Sequence, residues 1–132
     1  MKKTINCAAF ILVKGNKFLV EKRTKNKSIA AGLIAISGGR AEENETIESA
    51  FKRELKEELA VVPKNHEFLC KIMPPKNGDR IVHYFVVKDW IGELKPIEAE
   101  KIFWIKFSEY KKLDLDCDRK AIQKYLKTSR GR

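Results

Sequence analysis

Sulfur, imidazole and long apolar runs are all scarce in this chain of 132 residues. Cys7, Cys70 and Cys117 are odd in number, far apart and form no C-x-x-C pair, which argues against a disulfide framework or a zinc knuckle and suits a reduced, cytoplasmic setting. The only two histidines, His66 and His83, are isolated, and His83 alternates within a strand pattern, which reads as structural rather than catalytic. The apolar run after Met1-Lys2-Lys3-Thr4 stops at Lys14-Gly15, too short to span a bilayer and without a small-residue cleavage site. A soluble protein with no membrane partner is expected.

Negative charge is scarce as well. Against 28 Lys and Arg stand 18 Asp and Glu, a net charge of +10 that favours phosphate-rich partners or a membrane surface. The deficit is uneven. Glu42, Glu43, Glu45, Glu48, Glu54, Glu57 and Glu58 face only Lys52, Arg53 and Lys56 within their segment, a local balance of −4 that leaves +14 on the rest. The basic part attracts anions and the acidic part repels them unless a cation intervenes, which points to a metal. With 43% hydrophobic and 35% charged residues, the chain has the material for one core and one domain, expected over residues 1–127, with a disordered basic tail over 128–132.

Along the chain, Cys7 to Val13 reads as a strand buried on both faces, turned at Gly15-Asn16 into a second strand, Phe18 to Val20. A basic, small-residue loop (22–32) precedes a short strand, Leu33 to Ile36, and a flexible Ser37-Gly38-Gly39 turn. Ile47, Ala50, Phe51, Leu55 and Leu59 recur at helical spacing behind Thr46, a candidate N-cap. Strands follow at Phe68 to Ile72, Ile81 to Val87 and Ile102 to Phe107, the first two around a Pro74-Pro75 and Asn77-Gly78-Asp79 loop, and a helix spans Asp118 to Lys127. The order predicts a mixed α/β domain.

Glu54, Glu57 and Glu58 stand at i, i+3 and i+4, on one strip of that central helix beside Ile47 and Phe51. Carboxylates gathered at the edge of a core call for a hard divalent ion such as Mg²⁺ or Mn²⁺; the plain alternative is a solvated Glu-Lys surface helix. The surrounding residues run G-x5-E-x7-R-E-L-x-E-E-x-A-V from Gly39 to Val61, which resembles the Nudix box. Gly39, Glu45, Arg53, Glu54, Leu55, Glu57, Glu58 and Val61 fit it, and Ala60 stands where the family has Gly. Ser37 replaces the Pro often found before the two glycines, a change expected to loosen that entry slightly. Within the family the chain is most similar to MutT-like members.

The resemblance implies an α/β/α sandwich with a mixed β-sheet and a metal-assisted attack of water on a nucleoside diphosphate linked to a second group. Glu54, Glu57 and Glu58 would bind Mg²⁺ or Mn²⁺, one of them also serving the attacking water. Arg53 would brace Glu45, unless it is an ordinary surface i,i+4 pair. Gly38 and Gly39 would let backbone carbonyls approach the metal. A further carboxylate ligand would come from Glu98, with Glu100 as alternative, or neither if that loop is simply solvated. Arg23 and Arg40 would contact phosphate or nucleotide, or be plain surface charge. Asp118 would read the base, or serve as an N-cap. Ile36 stands where an aromatic would signal base stacking. The substrate expected is a nucleoside triphosphate, oxidised forms included, cleaved to monophosphate and pyrophosphate. The alternatives are an RNA 5′ end, ADP-ribose or a dinucleoside polyphosphate, and a non-catalytic nucleic-acid-binding module.

Overall fold

In the computed structural model, Ile5–Lys14 forms strand β1 and Lys17–Lys22 strand β2, joined by a two-residue turn in which Gly15 takes φ 61°. The structure describes residues 4–26, 31–74 and 79–130; Pro75, Asn77 and Gly78 of the expected loop, much of the basic segment before residue 31 and the last two residues lie outside them. The remaining elements are β3 (Ile34–Ala35), β4 (Gly38–Arg40), α1 (Ile47–Leu59), β5 (Val62–Ile72), β6 (Arg80–Ile91), β7 (Lys101–Lys106), a 3-10 helix (Phe107–Lys112) and α2 (Asp116–Arg130).

β1 is the organising strand. It pairs in parallel with β6 from Ile5↔Arg80 to Leu12↔Val87, antiparallel with β4 at Cys7↔Arg40 to Ala9↔Gly38, and with β2 through the hairpin. β5 extends the mixed, seven-stranded sheet beyond β6, while β3 and β7 pair with β2. Cys7 through Leu12 are buried on both faces, as their unbroken apolar run predicts. Alternation sends Ala8, Phe10 and Leu12 towards Phe51, Leu55 and Leu59 of α1, and Ala9 and Ile11 towards Ala121 and Ile122 of α2. Each fully buried Phe or Leu on α1 contributes about 2 kcal/mol of transfer free energy, which holds that helix against the sheet. The result is the expected α/β/α arrangement.

Three local expectations change. Ser37-Gly38-Gly39 is not a free turn, because Gly38 and Gly39 pair with β1 as β4. A Cβ on Gly38 would collide with the Ala8 carbonyl, so this backbone approach needs glycine. β5 begins at Val62, six residues before the apolar run suggests, and its register shifts at three places. A polar, Pro-bearing stretch with bulges hides its period, and Pro63 is tolerated because β5 lies at the end of the strand order. Finally, α2 spans Asp116–Arg130, starting before Asp118 and running past the Lys127 end that the periodicity suggests. Thr128 Oγ1 bonds the Tyr125 carbonyl at 3.0 Å, and Tyr125 and Leu126 pack on the core, which carries the helix past residue 127.

Candidate active site

Thr46 accepts the Ser49 amide at 3.1 Å and starts α1, setting the phase of everything behind it. That phase leaves Glu57 exposed and buries Glu54 and Glu58, which are 9% and 7% exposed. A Cβ on Gly39 would overlap the Glu54 carboxylate, so β4 and α1 close on one another only because that side chain is absent. Burial raises the Glu54 carboxyl above its ordinary range against the opposing pull of Arg53.

Arg53 forms the fork expected of it. Nε and Nη2 donate to the two Glu45 oxygens at 2.7 and 2.8 Å, Nη1 donates to Glu54 at 3.0 Å and to Glu57 at 3.1 Å, and Nη2 also donates to the Arg40 carbonyl at 3.1 Å. Glu45 accepts the Glu42 amide as well, and Arg53 together with that amide holds its carboxyl down to about 2. Arg53 is correspondingly pushed above its ordinary value. One guanidinium therefore ties the 40–45 loop to α1 and partly offsets the carboxylates.

Beyond α1 the chain takes the turn that the family's glycine would supply, with Ala60 at φ 65° and its amide bonded to the Lys56 carbonyl. The 92–100 loop then returns to the helix end, where Lys95 and Ile97 donate their amides to the Leu59 and Glu58 carbonyls at 3.1 and 3.2 Å. This docking separates the two candidates on the loop. Glu98 lines the same cleft as Glu54, Glu57 and Glu58, whereas Glu100 turns to Lys22, 3.6 Å away.

The cleft holds about 480 Å³ and runs from the carboxylates past Gly38, Gly39 and Arg40 to Ile36, Tyr84, Leu115 and Asp118. Arg23 borders it, paired with Glu21 at 3.0 Å. Glu21 is 2% exposed and also accepts the Ser37 hydroxyl at 2.7 Å, so Ser37 is a buried donor and not a loosened entry. Sequence reasoning passed over Glu21; its signal was a lone charge continuing the apolar Phe18-Leu19-Val20 strand. Asp118 is not an N-cap either. It lies inside the first turn of α2, is 3% exposed, and accepts the Tyr84 hydroxyl at 2.6 Å and the Ile36 amide at 3.0 Å. Burial pushes its carboxyl up to about 6. His83 meets Asn6 at 3.0 Å and does not line this cleft.

The sequence model of the NUDIX domain matches residues 2–125, nearly the whole chain. The protein is a Nudix hydrolase. Curated relatives include an ADP-ribose pyrophosphatase of Methanocaldococcus jannaschii, 33% identical over 92% of this chain and 72% of its own. An 8-oxo-dGTP diphosphatase of Haemophilus influenzae is 34% identical over 80% of this chain and 78% of its own. A CTP pyrophosphohydrolase of Escherichia coli is 32% identical over 77% and 76%. Among solved structures, the Escherichia coli ORF135 protein superposes with a TM-score of 0.83 at 25% identity, covering 98% of this chain and 94% of its own. The MutT Nudix hydrolase of Burkholderia pseudomallei gives 0.78 at 22%, covering 93% and 98%.

The activity is that of a pyrophosphohydrolase, and Nudix hydrolases generally use divalent metal ions. Among the described residues no three His, Cys, Asp or Glu side chains already form a metal cage, and Arg53 occupies oxygens of Glu54 and Glu57. The donors that line the cleft nonetheless fit such an ion, being carboxylate oxygens on a helix and a docked loop around a glycine-cleared space. No helix of the described residues is long and apolar enough to cross a membrane.

Proposed function

We propose that this Nudix hydrolase cleaves nucleoside triphosphates, oxidised forms included, to monophosphate and pyrophosphate with Mg²⁺, Mn²⁺ being an alternative. The observation that carries this reading is the continuity of one cleft lined both by four carboxylates and by Ile36, Tyr84, Leu115 and Asp118. A polyphosphate fits the first set and a nucleoside the second. Glu54, Glu57, Glu58 and Glu98 hold the metal, which supplies charge neutralisation on the pyrophosphate and a favourable position for the attacking water. Arg53 and Glu45 keep the β4 end of the cleft registered against α1. Arg23 and Arg40 border the path of the phosphates, and Asp118 offers a carboxylate to the base. The names of two relatives, an 8-oxo-dGTP diphosphatase and a CTP pyrophosphohydrolase, agree with a triphosphate substrate. Three free, buried thiols suit the reducing cytoplasm.

ADP-ribose is the second reading, favoured by the name of the Methanocaldococcus jannaschii relative. A panel of nucleoside triphosphates, ADP-ribose, dinucleoside polyphosphates and 5′-triphosphorylated RNA, assayed with Mg²⁺ and with Mn²⁺ and scored by product, separates these. Glu57→Gln and Glu58→Gln should each lower metal-dependent turnover by about 100-fold or more while the far-UV spectrum stays unchanged. Full turnover in both variants sinks the mechanism. Salt-sensitive binding of RNA or DNA without cleavage of any nucleotide would establish the non-catalytic binding module.

A further inference from the structure

Glu21 carries a charge that its place in the fold does not need. It follows Phe18, Leu19 and Val20 in β2 and is laddered on both sides, opposite Ala35 of β3 and Ile102 of β7. Only 2% of it is exposed. Burying a carboxylate among apolar strands is far less favourable than burying an apolar residue of similar volume, and an arginine partner does little more than offset the difference. Packing therefore gives no reason for a glutamate here; its contacts do.

One carboxylate oxygen accepts the Ser37 hydroxyl at 2.7 Å, and the other accepts Nη1 of Arg23 at 3.0 Å. Ser37 is itself fixed, because its carbonyl accepts the Phe10 amide of β1 at 3.0 Å. The carboxylate is thus locked in rotation from one side and offers its second oxygen in a single direction. Arg23 follows β2, its amide donating to the Leu33 carbonyl at 2.9 Å, and it lines the active-site cleft while Glu21 and Ser37 stand behind the wall. An arginine side chain has several torsions to order, so a rigid partner behind it removes freedom that a substrate would otherwise have to remove on binding. Glu21 and Arg23 also act in opposite directions on the Asp118 carboxyl, the guanidinium lowering it and the carboxylate raising it, which puts the pair within electrostatic reach of that residue.

We infer that Glu21 is a positioning residue, which holds the Arg23 guanidinium in the orientation that meets the substrate phosphates. Its contribution lies in substrate binding and acts through Arg23. This rests on the nucleotide-hydrolysis reading above and adds the residue that organises its phosphate contact.

The test is a double-mutant cycle in KM and kcat with Mg²⁺, on the panel substrate of highest kcat/KM. It compares the wild type, Arg23→Met, Glu21→Gln, Glu21→Met and each Glu21 substitution combined with Arg23→Met, with a melting curve for every protein. Arg23→Met should raise KM by about 10-fold or more, as expected for loss of a charge-assisted bond to phosphate. Glu21→Met releases the guanidinium and should raise KM by about 10-fold while kcat stays within about threefold. Glu21→Gln keeps an oxygen for Arg23 and an amide that the Ser37 hydroxyl can accept, so only the charge is lost and KM should rise by about threefold. In the Arg23→Met background neither change at Glu21 should move KM by more than about 1.5-fold. A residue that only holds the fold would lower the melting temperature and leave KM unchanged, or raise KM equally with and without Arg23, and either result overturns the inference. A fall in KM on removing Glu21 overturns it too, since Glu21 would then compete with substrate for Arg23, as does an Arg23→Met enzyme of unchanged KM. If Glu21→Met does not fold, the Glu21→Gln cycle decides. Hydrolysis of no substrate in the panel overturns the nucleotide reading and this inference with it.

Discussion

Replacing Gly38 or Gly39 by alanine adds the same methyl group to adjacent residues of β4, yet the surroundings dictate different losses. A Cβ on Gly38 meets the Ala8 carbonyl and lies 2.9 Å from the Ala9 Cα. Both belong to the backbone of β1, held by β4 on one edge and β6 on the other, so neither can retreat without opening a ladder. Overpacking of this kind costs about 3 kcal/mol, which lowers the melting temperature of a chain this size by roughly 10 °C. The three atoms nearest a Cβ on Gly39 all belong to the Glu54 carboxylate, the end of a flexible side chain. That carboxylate can swing aside for the loss of its 3.0 Å bond to Arg53, a cost of about 1 kcal/mol. Misplacing a metal-binding carboxylate by an ångström or more costs about 100-fold in rate. Gly38→Ala should therefore be a stability variant with turnover per folded molecule largely kept, and Gly39→Ala an activity variant that melts within a few degrees of wild type. Calorimetric melting and kcat/KM at saturating Mg²⁺, measured on both proteins, decide it. A Gly39→Ala enzyme within threefold of wild type would refute the placement of Glu54, and unaltered melting of Gly38→Ala would refute the packing argument.

Two further outcomes follow from the same structure. Ala60→Gly relieves a Cβ held at φ 65° and should stabilise the protein by about 1 kcal/mol, raising the melting temperature by roughly 4 °C with unchanged turnover; a lower melting temperature would count against it. The Asp118 carboxyl, raised from its ordinary 3.8 to about 6, keeps its proton longer in the folded than in the unfolded chain, so its contribution to stability falls as pH rises from about 4 to 6 and is fully lost above that, by roughly 3 kcal/mol. Tyr84, Cys117, Arg23 and Glu21 are the charged or titratable neighbours of that carboxyl, and Asp118→Asn leaves them in place. Denaturant unfolding from pH 4 to 7 should show the variant gaining on wild type across this window, and a constant difference between the two would refute the burial argument.

The parts of this protein that were legible in its sequence are those whose geometry is fixed within a few residues. Helical periodicity places Glu54, Glu57 and Glu58 on one strip whatever surrounds them, and the spacing from Glu45 to Arg53 is short enough for the fork to close. The unbroken apolar run of β1 likewise announces its two covered faces. Glu98 and Glu100 illustrate the limit. They are two residues apart in one acidic stretch, and what sends one to the cleft and the other to Lys22 is a pair of backbone bonds from the loop to the end of α1. No local pattern carries that information.

Charge shows the same limit from the other side. The net +10 invites a view of a basic surface drawing in phosphate, but the arginines around the cleft are not equivalent in the fold. Arg53 is consumed by Glu45, Glu54 and Glu57, Arg23 is paired with buried Glu21, and Arg80 rests on a cysteine with a donor unmet. Composition counts all three alike. Their partners stand 1 to 73 residues away in sequence, so only the fold distinguishes an arginine that braces the site from one left with a donor unmet.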